Sequence, residues 1–119
     1  MPETVLVMAG GAIGAALRFH STRWIAALTG TGWPMGTLAV NLVGGLAMGL
    51  LIGTLARDSE SWRLFAGVGV LGGFTTFSAF GLESWGMIER GQFPMAALYV
   101  TASVVGTVLL TGLGLWITR

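Results

Sequence analysis

Gly72-Gly73-Phe74-Thr75-Thr76-Phe77-Ser78-Ala79-Phe80 sits in the middle of an apolar run covering residues 62–88. A run of that length is a membrane span. An α-helix rises ~1.5 Å per residue, so ~20 residues cross the hydrocarbon core. Yet two glycines followed by two threonines make a poor helix interior, because Gly costs about 1 kcal/mol relative to Ala. The segment is therefore a candidate break in a membrane helix. An unwound turn frees carbonyls, and in a bilayer freed carbonyls must find partners. A bound cation is one such partner. The break also creates a helix N-terminus near Thr76 and Phe77, whose positive dipole end favours an anion. The competing reading is that Gly72 and Gly73 serve only close helix packing.

Outward from this segment, the chain divides into four apolar spans. The first covers residues 4–28, with Arg18, His20 and Arg23 in its last turns. Gly30, Gly32 and Pro34 mark a loop, and Trp24 and Trp33 suit the membrane interface beside it. An uncharged second span covers residues 35–56. Arg57-Asp58-Ser59-Glu60-Ser61 is a polar loop, with Ser61 the expected N-cap of the third span, residues 62–88. Glu89-Arg90-Gly91-Gln92 is the next loop, and Pro94 opens the fourth span, residues 95–117. The glycine content of the spans suits close helix–helix approach.

Composition narrows the function. The 119 residues suffice for one membrane domain, 54% of them are hydrophobic and only 9% are charged. Such a chain has too little polar surface for a soluble domain. A net charge of +1 gives no electrostatic footprint for nucleic acid. The absence of cysteine excludes disulfides and thiol chemistry. No nucleophile–base pair, metal cluster or phosphate loop is present, so the chain reads as a non-enzyme. Met1-Pro2-Glu3 lacks the basic region of a signal peptide, so the first span is expected to be retained. All six basic residues are arginines. Arg57, Arg63 and Arg119 fall on one side of the membrane and Arg18, Arg23 and Arg90 on the other. This balance leaves the positive-inside rule nothing to act on. Insertion in both orientations follows, and with it an antiparallel homodimer.

Several polar or aromatic residues inside the spans have two readings. Phe77 and Phe80 are three apart and share a face. They either pack against lipid and helices or present positive ring edges along an anion path. Asn41, in the middle of the second span, either bonds a neighbouring helix or donates its amide to an anion. Ser103, Thr107 and Thr111 form one polar stripe down the fourth span. Such hydroxyls commonly bond back to their own carbonyls, but three at this spacing suit a pore-lining track. Glu83 is the one acid clearly inside a span. It is either an ion or proton ligand or a residue near the interface. Arg18 either faces a water-filled vestibule or snorkels to the surface. His20 has no ligand-spaced partner.

Three motifs carry a family resemblance. They are Gly10-Gly11-Ala12-Ile13-Gly14-Ala15-Ala16-Leu17-Arg18-Phe19, Gly36-Thr37-Leu38-Ala39-Val40-Asn41-Leu42-Val43-Gly44, and the nine residues from Gly72 to Phe80. In that order they resemble the small bacterial fluoride channels, also called CrcB proteins, over nearly the whole chain. The resemblance implies a dual-topology homodimer in the bacterial cytoplasmic (inner) membrane that exports fluoride passively through two pores. It implies a structural sodium ion on the dimer two-fold axis, held by the backbone carbonyls of Gly72 and Thr75. The pore set it implies is Asn41, Thr76, Phe77, Ser78, Phe80, Ser103 and Thr107, with Arg18 at the vestibule. Ala79 is a departure, since many relatives carry a hydroxyl there, and slower conduction is the expected effect. A small multidrug-type proton-coupled exporter shares the four spans and dual topology. It needs an essential Glu in the first span, and residues 4–17 contain none. A membrane scaffold without transport is the remaining rival.

Overall fold

The computed structural model describes residues 2–30 and 32–119. The elements are α1 (Pro2–Thr29), α2 (Met35–Gly53), α3 (Glu60–Trp62), a π-helical segment (Arg63–Leu71), α4 (Gly72–Phe74), α5 (Phe77–Glu89) and α6 (Phe93–Ile117). Residues 60–89 form one bent rod from α3 to α5, so four rods are long and apolar enough to cross a membrane. The molecule is 47 Å long, against a hydrocarbon core of about 30 Å.

The third rod breaks where the sequence suggested, with two corrections. First, Gly72 is still helical, with φ −62° and ψ −38°. The extended residues are Thr75 (φ −88°, ψ 159°) and Thr76 (φ −148°, ψ 123°). β-Branched threonine accepts the extended region readily, so the chain opens there and not at the glycine pair. Gly73 instead serves packing, because a Cβ on it would crowd the Gly11 carbonyl of α1. Second, the N-cap of α3 is Ser59, whose hydroxyl accepts from the Trp62 N–H at 3.2 Å; Ser61 lies inside the helix. The nine-residue π-helix has no counterpart in the sequence reading. It ends with the Gly72 N–H donating to the Gly67 carbonyl, five residues back.

Glycine sets the spacing between rods. A Cβ on Gly10 or Gly14 would run into the Phe65 or Val70 carbonyl, so α1 lies backbone to backbone against the π-helical segment. Gly45 and Gly49 play the same part between α2 and α6, where added Cβ atoms would meet Thr107 and the Thr111 carbonyl. Both pairs follow the small-xxx-small spacing of membrane helix contacts. Gly11, by contrast, has open space where a Cβ would stand, with nothing within 4 Å. Gly14→Ala is therefore expected to destabilise by about 1–3 kcal/mol through overpacking, and Gly11→Ala to be neutral. Unfolding in mixed micelles checks the pair; equal stability of the two variants would contradict this packing.

Leu38, Phe80, Met87, Ala96 and Tyr99 form the core between α2, α5 and α6. Outside it the rods present large apolar side chains such as Leu82, Trp85, Leu109 and Trp116. That surface suits lipid.

Candidate ion pathway at the helix break

The break is held by side chains from two other rods. Asn41 of α2 grips the backbone of Thr76 on both sides. Its Nδ2 donates to the Thr76 carbonyl at 3.0 Å, and its Oδ1 accepts from the Thr76 N–H at 2.8 Å. The Thr76 hydroxyl in turn caps α5 by accepting from the Ala79 N–H at 3.2 Å. Arg18 of α1 donates its Nε–H to the Gly73 carbonyl at 3.0 Å. The Thr75 hydroxyl bonds back to the Leu71 carbonyl at 2.9 Å. Between the helix-bond and anion-donor readings of Asn41, the geometry supplies the helix bond twice over. An amide carries two N–H hydrogens, so one of them remains for another acceptor.

Beside the break lies a cavity of about 410 Å³. Six of the seven expected pore residues line it: Asn41, Thr76, Phe77, Phe80, Ser103 and Thr107. Ser78 lies outside this lining, with its hydroxyl 3.5 Å from that of Thr76. Every lining residue is uncharged. The Ser103 hydroxyl is buried with no hydrogen-bond partner among the described residues. Thr111 also lines the cavity, but its hydroxyl is engaged by the Gly45 and Thr107 carbonyls, both at 2.9 Å. The two phenylalanines differ. Phe77 is 83% exposed, whereas Phe80 is 8% exposed and belongs to the core. Their ring centroids are 5.6 Å apart and their planes tilted by 35°.

A second cavity, of about 460 Å³, opens at the end of the bundle between Trp33, Pro34, Gly86 and Arg90. Thr37 and Glu83 line it. Glu83 accepts hydrogen bonds from the Thr37 hydroxyl and the Tyr99 phenol, each at 2.9 Å. Tyr99 is fully buried, and its ring lies tilted against Phe80 at 5.3 Å and edge-on to Trp33 at 5.6 Å. This cluster thus stands between the two cavities. Sequence reasoning singled out Glu83 but missed Thr37 and Tyr99. The signal was thin: one hydroxyl and one phenol, on different spans, with no spacing to link them.

The break also leaves backbone carbonyls without their regular helical donors. In an unbroken helix the Gly72 carbonyl would accept from the Thr76 N–H, and Thr75 from the Ala79 N–H. Here those donors go to Asn41 and to the Thr76 hydroxyl. Gly72 is exposed. Two uncharged carbonyls deprived of their regular donors suit a monovalent ion. Arg18 is not in the lining of either cavity; the one described hydrogen bond of its side chain is to Gly73.

Residues 5–115 match the family model of the CrcB-like protein, Camphor Resistance (CrcB). Among curated proteins, the chain is 55% identical over 116 residues to the fluoride-specific ion channel FluC of Sphingopyxis alaskensis, covering 95% of this chain and 92% of that protein. It is 53% identical to the protein of the same name from Novosphingobium aromaticivorans, over 100% of this chain and 98% of that one. The corresponding Erythrobacter litoralis protein is 48% identical over 98% of this chain and 91% of its own length. With four membrane-length rods, the third broken at Thr75 and Thr76, and family similarity from one end to the other, this chain belongs to the CrcB-like family.

Proposed function

We propose that this protein is a fluoride-selective channel that exports fluoride passively across the bacterial cytoplasmic membrane, through two pores in an antiparallel homodimer. The observation that carries the reading is the uncharged cavity at the break, which gathers Asn41, Thr76, Phe77, Phe80, Ser103 and Thr107. The names of the relatives agree with it. Fluoride is small and strongly hydrated, so a pore must replace its water with donors yet release it again. The spare Asn41 amide hydrogen, the Ser103 hydroxyl and the ring edges of Phe77 and Phe80 are donors of that kind. None carries a fixed charge that would trap the ion. The N-terminal end of α5 adds a positive dipole beside Thr76.

Two further elements belong to the proposal. A second copy in the opposite orientation covers the open face on which Phe77 stands; with Arg18 drawn to the Gly73 carbonyl, Arg57, Arg63 and Arg119 stand against Arg23 and Arg90, too small a bias to forbid that orientation. A sodium ion on the two-fold axis is held by the Gly72 and Thr75 carbonyls of both copies. When bound, it supplies positive charge that compensates carbonyls lacking helical donors. The exporter alternative has nothing specific in its favour, since Glu83 lies in the third rod and is tied to Thr37 and Tyr99.

Phe77 is the cleaner test of the aromatic lining. Phe77→Ile is expected to reduce fluoride flux while changing the stability of the single chain by less than about 0.5 kcal/mol, as for exposed positions. Phe80→Ala would cost about 3–5 kcal/mol as a core truncation, so its loss of flux would be uninformative alone. Unchanged flux in a folded Phe77→Ile variant would remove that ring from the path. The function itself is checked by growth. Expression in a bacterium lacking its own fluoride exporter should restore growth in fluoride medium. Unrestored growth with verified membrane insertion would count against the proposal.

A further inference from the structure

We propose that Arg18 is a positioning residue of the break, and that the atom that matters is its Nε–H rather than its charge. In an unbroken helix the Gly73 carbonyl would accept from the Phe77 N–H. With Thr75 and Thr76 extended, Phe77 becomes the first residue of α5 and that bond is lost. The Nε–H of Arg18, 55 residues away in sequence, takes its place at 3.0 Å. Arg18 is held within reach because Gly73 packs against α1 so closely that a Cβ there would crowd Gly11 and Ala15. The contact has two consequences. It satisfies a carbonyl that a bilayer cannot solvate. It also takes Gly73 out of the set of carbonyls that the opened turn leaves without helical donors. Asn41 from α2 and Arg18 from α1 thus hold opposite sides of the open turn, one at Thr76 and the other at Gly73.

This assignment rests in part on the channel reading, because flux is one of its readouts. Three variants separate donor from charge. Glutamine places its side-chain nitrogen at the same number of bonds from Cα as the arginine Nε, with a hydrogen to donate and no charge. Methionine has the same reach and no donor. Lysine keeps the charge and sets its nitrogen one bond further out. Fluoride efflux from liposomes and amide exchange across residues 75–80 would be measured for Arg18→Gln, Arg18→Met and Arg18→Lys. Arg18→Gln is expected to stay within about 3-fold of the parent in both, and Arg18→Met to lose roughly 10-fold in flux and exchange about 10-fold faster. Arg18→Gln behaving like Arg18→Met, with Arg18→Lys like the parent, would overturn the proposal in favour of charge. Parent-like behaviour of Arg18→Met would overturn it as well. If Arg18→Met does not fold, faster exchange in Arg18→Gln than in the parent decides against it, and parent-like exchange supports it. The exchange readout needs no fluoride, so a parent protein that conducts none would defeat the channel reading while leaving this test intact.

Discussion

Replacing Asn41 with leucine is expected to abolish fluoride flux and to lower stability by about 2–4 kcal/mol, since it strands two backbone groups away from water. Both of its side-chain heteroatoms bind Thr76, at 3.0 and 2.8 Å. Leucine fills a similar volume but pairs with neither. The Thr76 N–H and carbonyl would then seek helical partners, and the open turn would close or fray. A closed turn moves Phe77 and the start of α5 away from the cavity, so the loss of flux should be at least ~100-fold, equivalent to two tenfold steps of 1.4 kcal/mol. Asn41→Asp separates the two roles. It retains the acceptor for the Thr76 N–H but loses the donor and adds negative charge to an anion path. It should keep more stability than Asn41→Leu and conduct no better. Unfolding in micelles and liposome flux check both variants. Parent-like flux from Asn41→Leu would mean that the break is not held from α2.

Forcing one orientation is expected to have an equally large effect. Asp58, between the second and third rods, and Ser61, in the first turn of the third, are both exposed, and neither caps a helix, since that role belongs to Ser59. Changing both to lysine biases that side strongly and should commit the chain to one topology. Expressed alone, such a chain has no antiparallel partner and its flux should fall to background. The opposite bias, Glu89→Lys with Gln92→Lys, should fail alone in the same way. Co-expression of the two should restore flux. Restoration is the informative arm, because misfolded chains cannot rescue each other. Full activity in a fully single-orientation population would refute the antiparallel arrangement.

Much of this architecture was legible in the chain, and the exceptions have physical reasons. Hydrophobic length alone locates four membrane rods, because the bilayer fixes how many apolar residues a span needs. The weak point in the third rod was also legible, since glycines and threonines together are poor helix formers. Which peptide within residues 72–76 opens was not. Which peptide opens depends on partners from other rods, and Asn41 and Arg18 select Thr76 and Gly73. The π-helical turn was invisible for the same reason. Its residues, two glycines and two valines among them, carry no pattern that tells a π-helix from an α-helix, and the backbone contacts of Gly10 and Gly14 lie on a different rod. Phe77 and Phe80 looked equivalent in the sequence, yet one is open and the other is core. The bond from Arg18 to the third rod was not legible, because its partner is a carbonyl and carbonyls leave no mark in a sequence.

The most direct test is efflux from liposomes reconstituted with the purified protein. Vesicles loaded with fluoride, and separately with chloride, would be followed by ion-selective electrodes with a potassium ionophore to balance charge. The account predicts rapid fluoride release and negligible chloride release. Equal release of both ions, or none from a verified dimer, would contradict it.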